Sequence, residues 1–308
     1  MKPRIPLILA LVPVLLATAC IGGSARRDGP LNGESYVIGA KDFTEQDILA
    51  NLTALLLQRN GADAQVKSIS GSANIRTAME SGDMSMYWEY TGTAWISYQH
   101  HTEPIRDPGE QFAAVRDEDA AKNGIAWFDP AGLDNSYALA VRSEFAKEHR
   151  LATVSDLARL ARRDPAQATV CVESEFASRD DGLPGLLDTY GINLPKSHIK
   201  TLDGGVIYHE TDKGRSCNVG EVFATDGRVS GLGLTLLKDD ERFLPHYQGA
   251  LTMMEKTAKE RPELARIMAP LAQKLDTPTM RALNAQVDIE GLDPDDVAER
   301  WLKHEGLW

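Results

Sequence analysis

The chain has 308 residues, a net charge of −12 and three cysteines. This length allows two domains of ordinary size, or one domain with a large insertion. The acidic balance argues against nucleic acid as a partner and mildly favours cationic ligands.

The N-terminus predicts export and attachment to a membrane. Basic Lys2 and Arg4 precede an apolar run, residues 5–19, which is too short to span a bilayer and is interrupted by prolines. Small residues lead directly into Cys20, and this resembles a bacterial lipoprotein signal, in which the cysteine becomes the lipidated first residue of the mature protein. Ordinary secretion with cleavage nearby is the alternative. We interpret residues 1–19 as a signal peptide and residues 20–35 as a flexible tether.

Alternating strand and helix patterns begin at residue 36. Short apolar strands are predicted at residues 36–40, 64–69 and 84–90, separated by an amphipathic helix that ends near Gly61 and a second helix over residues 72–79. This series predicts a largely parallel sheet covered by helices. A helix near residues 110–123 and a strand over residues 125–127 follow.

A second α/β series begins at Tyr137. Strands are predicted at residues 168–172, 199–202 and 221–224, and helices at residues 154–161, at residues 183–190 and from about residue 206. A return strand over residues 247–254 and a helical tail complete the pattern. We expect residues 36–134 to form the first part of lobe 1, residues 135–242 to form lobe 2, and residues 243–308 to return to lobe 1 and end in C-terminal helices.

Aromatic residues lie at the edges of several predicted strands. The strand that ends at Tyr90 runs into Thr-Gly-Thr and then a helix, and ligands of open α/β sheets bind at such turns. Tyr90 and Thr93 are therefore the first candidate site residues, although core packing and helix capping are the simpler alternatives. Tyr137, Phe223 and Tyr247 occupy comparable positions, and the four aromatic residues together could line one cleft.

Signatures of catalysis are missing from the sequence. It contains no Gly-x-Ser-x-Gly turn, phosphate-binding glycine-rich loop or His-Glu-x-x-His helix. Neighbouring His100 and His101 would point to different faces of a helix, so polar residues at the surface are a better interpretation than metal ligands. We expect no enzyme activity, no metal and no cofactor.

The cysteines indicate one disulfide. If Cys20 carries a lipid, Cys171 and Cys217 remain as a pair in an extracytoplasmic protein, where disulfides persist. Two buried free thiols are the alternative. Nothing in the cysteine spacing is typical of a metal site.

Five motifs along the chain together resemble one known family. They lie at residues 38–46 (Ile-Gly-Ala-Lys-Asp-Phe-Thr-Glu-Gln), 89–93 (Glu-Tyr-Thr-Gly-Thr), 133–138 (Leu-Asp-Asn-Ser-Tyr-Ala), 175–186 (Glu-Phe, then Arg-Asp-Asp-Gly-Leu-Pro-Gly-Leu from residue 179) and 224–228 (Ala-Thr-Asp-Gly-Arg). In this order they resemble the glycine betaine/choline-type substrate-binding proteins of ABC transporters, the osmoprotectant-binding family. The resemblance covers nearly the whole chain after the signal peptide.

The resemblance implies an α/β fold of the bilobal type II periplasmic-binding-protein class, with two α/β lobes joined by two crossovers and closing by hinge motion. It also implies an aromatic box for a quaternary ammonium group, formed by Tyr90, Tyr137, Phe223 and Tyr247. Lys41, Thr93 and Arg179 would hold a ligand carboxylate. Phe223 replaces the tyrosine that is common in close members, which keeps a π face and loses a hydroxyl.

The resulting hypothesis is a lipid-anchored extracytoplasmic receptor that delivers glycine betaine, proline betaine, carnitine or choline to the permease subunits of an ABC importer. The alternatives are a receptor for another trimethylammonium zwitterion such as ergothioneine, and a ligand-sensing lipoprotein without a transport role. We expect a monomer that touches the membrane only through its N-terminal lipid and binds no nucleic acid.

Overall fold

The computed structural model describes residues 29–308. The predicted signal peptide (residues 1–19), the lipidation site Cys20 and most of the predicted tether lie outside the described residues. Within residues 29–308, no helix is both long enough and apolar enough to cross a membrane.

The strands lie close to the positions that the apolar runs predict. In chain order they are β1 (Ser35–Ala40), β2 (Asp63–Ser68), β3 (Met86–Tyr90), β4 (Ile125–Trp127), β5 (Tyr137–Arg142), β6 (Val170–Val172), β7 (Ile199–Thr201), β8 (Val219–Phe223), β9 (Leu234–Leu237) and β10 (Gly249–Met254). Every residue of β3 is buried, in agreement with its continuous run of large side chains.

The helices cover both sheets and form the C-terminal segment. They are α1 (Thr44–Arg59), α2 (Ser72–Glu80), α3 (Thr91–Thr93, continued by a π-helical turn Ala94–Tyr98), α4 (Pro108–Asn123), α5 (Ser143–His149), α6 (Val154–Arg163), α7 (Leu183–Thr189), α8 (Gly204–Lys213), α9 (Gly227–Gly231), α10 (Glu255–Glu260), α11 (Glu263–Lys274), α12 (Thr277–Asp288) and α13 (Pro294–His304). Helix α1 buries Ile48, Leu49, Leu52, Leu56 and Leu57, which recur at helical spacing.

The first sheet is mixed rather than largely parallel, and this corrects the sequence-based prediction. Its strand order is β2-β1-β3-β10-β4. Strand β1 runs parallel to β2 and β3, whereas β10 runs antiparallel to β3 and β4. The reason is the route of the chain: β10 comes back from the second sheet and starts beside Tyr90, where β3 ends.

The second sheet repeats this arrangement, with the order β7-β6-β8-β5-β9. Strand β5 arrives from the first sheet and runs antiparallel to β8, so that Tyr137 pairs with Phe223. The sequence analysis missed β9, α5 and α9. Strand β9 is a short edge strand that follows the glycine-rich stretch at residues 231–233, and its pairing with β5 is a tertiary contact.

A buried disulfide joins β6 to the loop before β8. The Sγ atoms of Cys171 and Cys217 are 2.02 Å apart, and the structure therefore contains the bridge rather than two free thiols. Both residues are almost fully buried, and the bridge closes a segment of 46 residues.

Removal of this disulfide should destabilise the protein. The double substitution Cys171→Ala and Cys217→Ala is expected to lower the free energy of unfolding by about 4 kcal/mol, because the unfolded chain regains the entropy of an open loop. Urea denaturation of the variant and of the oxidised and reduced wild type measures this effect. Equal stability of all three samples would contradict the prediction.

Candidate functional site

A cavity of about 40 Å³ lies between the two lobes. Six of the predicted site residues line it: Lys41, Tyr90, Thr93, Tyr137, Phe223 and Tyr247. The seventh, Arg179, lies behind the wall, with its guanidinium carbon 5.7 Å from the ring centre of Tyr137. The cavity is also lined by Asp42, Phe43, Gly71, Ser72, Asn135, Glu173 and Glu175, which the sequence analysis did not propose.

The lining residues lie at strand ends. Tyr90 ends β3 and Phe223 ends β8, whereas Tyr137 begins β5 and Tyr247 lies two residues before β10. The ring centre of Tyr137 is 5.2 Å from that of Phe223 and 5.1 Å from that of Tyr247. Tyr90 is set apart from these three rings and lies nearest to Phe43, at 6.3 Å.

The Thr-Gly-Thr turn after β3 allows the ring of Tyr247 to approach lobe 1 closely. A Cβ atom on Gly92 would lie only 2.8 Å from two ring carbons of Tyr247, so a larger residue would displace the ring. The hydroxyl of Thr91 donates a hydrogen bond to the His246 carbonyl at 3.0 Å. The turn therefore fixes Tyr247 as well as presenting Thr93 to the cavity.

Lys41 is paired with a buried carboxylate. Its ammonium is 2.5 Å from Glu89, and the hydroxyls of Tyr87 and Tyr98 each donate to the same carboxylate at 2.8 Å. The ammonium also lies 5.2 Å from the ring centre of Tyr90. The charge of Lys41 is thus balanced inside lobe 1, and Lys41 still lines the cavity.

Arg179 lies next to the aromatic rings and contacts residues of both lobes. Its guanidinium binds Asp181 through two nitrogens, one of them at 2.7 Å, and donates to Glu175 at 2.9 Å. One nitrogen lies 3.5 Å from the hydroxyl oxygen of Thr93 in lobe 1. Asp181 in turn accepts a hydrogen bond from the hydroxyl of Tyr247 at 2.5 Å. Arg179 therefore positions Tyr247 and Thr93, and its predicted contact with a ligand carboxylate stays a prediction.

Two carboxylates that sequence reasoning missed face the cavity from lobe 2. Glu175 accepts a hydrogen bond from the backbone N–H of Ser72 at 3.2 Å, which is a contact between the lobes. Burial raises the pKa of the Glu173 carboxyl, and the neighbouring charges of Asp42 and Glu175 raise it further. Their position was the signal available in the sequence: Glu173 directly follows β6 and Glu175 lies two residues further on, and ligands of α/β sheets bind at strand ends.

A polar network at the base of the cavity links the lobes through Tyr90. The Tyr90 hydroxyl donates to Glu45 at 2.7 Å and accepts from the Gln46 amide at 3.0 Å. Asn284 of α12 lies 3.5 Å from Glu45 and donates to the Thr225 carbonyl of lobe 2 at 2.9 Å. Burial raises the pKa of Glu45 to about 7, although the hydrogen bonds that it accepts act in the opposite direction.

Aromatic side chains make up much of the cavity lining. Three tyrosines and two phenylalanines contribute rings, and π faces attract cations within about 6 Å of the ring centre. Among residues 29–308, no group of three or more His, Cys, Asp or Glu is arranged to hold a metal ion.

Comparison with known proteins shows which family the sequence matches. The profile of the family described as "Substrate binding domain of ABC-type glycine betaine transport system" matches residues 34–304. A "Glycine-betaine-binding protein" of Pseudomonas aeruginosa is 38% identical to this chain, over 95% of this chain and 94% of the relative. An "Ergothioneine transport permease/ergothioneine binding protein" of Helicobacter pylori is 30% identical over 96% of this chain, which spans 51% of that longer protein.

Solved structures agree with this assignment. A structure described as "Crystal structure of glycine betaine/carnitine/choline ABC transporter" superposes with a TM-score of 0.72 at 27% identity, and covers 88% of this chain and 99% of the other. The likeness confirms the bilobal type II periplasmic-binding-protein fold that the sequence predicts.

The raised pKa of Glu45 predicts a pH-dependent stability. Its folded-state pKa of about 7 exceeds the ordinary 4.5, so the folded protein favours the protonated form. Stability from this group is present below about pH 4.5 and is lost as the pH rises through about 7, by up to about 3 kcal/mol. Glu45→Gln, which mimics the protonated form, should lose less stability over this interval.

Chemical denaturation at pH 4.5 and pH 7.5 tests this prediction. The exposed Glu290→Gln is the matched control and should follow the wild type. Parallel pH profiles of Glu45→Gln and the wild type would show that Glu45 does not titrate in this range.

Proposed function

The chain belongs to the family of substrate-binding domains of ABC-type glycine betaine transport systems, and we propose that it captures a quaternary ammonium compound for delivery to the permease of an ABC importer. Members of this family are transport proteins and not enzymes. The proposed ligands are glycine betaine, proline betaine, carnitine and choline.

One observation carries the proposal: aromatic rings from both lobes face a single cavity. A trimethylammonium group cannot donate hydrogen bonds, so a protein has to hold it through π faces, with about 2 kcal/mol or more for each desolvated contact. Tyr137 and Phe223 belong to lobe 2, whereas Tyr90 belongs to lobe 1. A ligand that contacts rings of both lobes stabilises the closed arrangement and so drives hinge closure.

The ligand carboxylate would bind at the Thr93 side of the cavity. Thr93 offers a hydroxyl donor, and Arg179 lies 3.5 Å behind that hydroxyl. Lys41 lines the same cavity with its ammonium. Both cations already have carboxylate partners, so we propose that they orient the hydroxyl and provide positive potential rather than carry an unpaired charge.

Membrane attachment is proposed from the sequence. Cys20, after the signal peptide, would carry the lipid, and residues 20–35 would tether the lobes to the outer face of the membrane. We also propose that residues 36–134 and 243–308 form lobe 1 and that residues 135–242 form lobe 2.

The carboxylates at the cavity support a second candidate ligand. Glu173 and Glu175 are acceptors, and glycine betaine has no donor to offer them. Ergothioneine has a trimethylammonium group, a carboxylate and a ring N–H that could donate to one of these glutamates. A receptor for this kind of zwitterion is therefore the alternative.

Isothermal titration against five compounds tests the proposal. We expect binding of at least one among glycine betaine, proline betaine, carnitine, choline and ergothioneine. We expect no binding of 3,3-dimethylbutanoate, in which an uncharged carbon replaces the quaternary nitrogen of glycine betaine. Ergothioneine as the tightest ligand would favour the second candidate. If none of the five binds, the proposal is wrong.

The box assignment predicts different effects of two substitutions at Tyr90. Tyr90→Leu removes the π face and should weaken binding by about tenfold or more, whereas Tyr90→Phe retains the ring and should stay within about threefold of the wild type. The control is Tyr36→Leu, since Tyr36 is also a buried tyrosine of lobe 1 but does not line the cavity. Wild-type affinity in Tyr90→Leu would assign Tyr90 to the core.

A further inference from the structure

Phe43 places an aromatic ring in the middle of the candidate site. It precedes α1, lines the cavity and is half-buried. Its ring centre is 5.2 Å from that of Phe223, with 20° between the ring planes, and 6.3 Å from that of Tyr90, with 27° between the planes. Phe43 thus stacks with a ring of each lobe, Tyr90 of lobe 1 and Phe223 of lobe 2.

The backbone of Phe43 is fixed by the start of α1. Its carbonyl accepts hydrogen bonds from the N–H groups of Gln46 and Asp47, at 3.0 and 3.3 Å, and its own N–H donates to the Lys41 carbonyl at 2.9 Å. The neighbouring side chains of Lys41 and Glu45 are held by Glu89 and Tyr90. A ring on such a support is positioned in advance, as a recognition residue requires.

The stacking of Phe43 against Phe223 limits where a cation can bind in the cavity. The cavity beside these rings has a volume of about 40 Å³. A trimethylammonium group can lie between Phe43 and Phe223 only if the two rings separate, because their centres are 5.2 Å apart in the stacked pair. Each ring face that is released from this stack becomes available to contact a cation.

We propose that Phe43 is a fifth aromatic face of the site, which contacts the quaternary ammonium group from lobe 1 opposite Phe223. This assignment rests on the proposed function and adds to it the residue that completes the box on the lobe 1 side. The cation is held between Phe43 and Phe223, and ligand binding replaces a ring-to-ring contact between the lobes with two cation-to-ring contacts.

Titration calorimetry with glycine betaine, proline betaine, carnitine, choline and ergothioneine tests the assignment on the purified full-length protein without its lipid. Phe43→Leu should weaken binding of every compound that the wild type binds by about tenfold, and Phe43→Tyr should bind within about threefold of the wild type. The control is Phe128→Leu, since Phe128 is a half-buried phenylalanine of lobe 1 that does not line the cavity. It should bind as the wild type does.

A second measurement separates a π contact from the loss of a bulky side chain. Replacement of Phe43 by mono-, di- and trifluorinated phenylalanine keeps the shape of the ring and progressively removes the negative charge of its face. Affinity should fall stepwise in this series. Wild-type affinity in Phe43→Leu, or constant affinity through the fluorinated series, would overturn the assignment of Phe43 while leaving the proposed function intact. A wild type that binds none of the five compounds would overturn both.

Discussion

The structure depends on one topological constraint: both crossovers enter their sheets at the cleft. Strands β3 and β8 end at the cleft, and the crossover strands β5 and β10 begin there, which is why both run antiparallel to their neighbours. The two crossing segments are joined to each other, since the N–H of Asn135 donates to the Tyr247 carbonyl at 3.0 Å. Each crossing therefore delivers a tyrosine, Tyr137 or Tyr247, to the same place.

Both cations at the cavity, Lys41 and Arg179, are paired with buried carboxylates. Glu89 balances Lys41, and Asp181 balances Arg179. Burial of an unpaired charge would be strongly unfavourable, so each cation is brought to the cavity together with its partner. The same pairs also fix rings, because Lys41 lies over Tyr90 and Asp181 binds the hydroxyl of Tyr247. The groups that form the ion pairs therefore also hold the tyrosine rings in place.

Sequence patterns predicted the elements that carry a local signal. The strands and helices of the first α/β series were located within a few residues, because continuous apolar runs and helical spacing are local properties. Strand β9 was missed, since a short edge strand after glycines has no such signal. The mixed direction of the first sheet was also missed, because the direction of β10 follows from the route of the whole chain and not from residues 249–254.

The sequence by itself determined the family, the two α/β series and six of the residues that line the cavity. Motifs and strand ends can be recognised from residues that are adjacent in the chain. Tertiary structure alone decided the rest. It placed Phe43 between Tyr90 and Phe223, brought Glu173 and Glu175 to the cavity wall and put Arg179 behind it. These positions depend on tertiary packing, and contacts between residues more than forty positions apart leave no pattern in a single sequence.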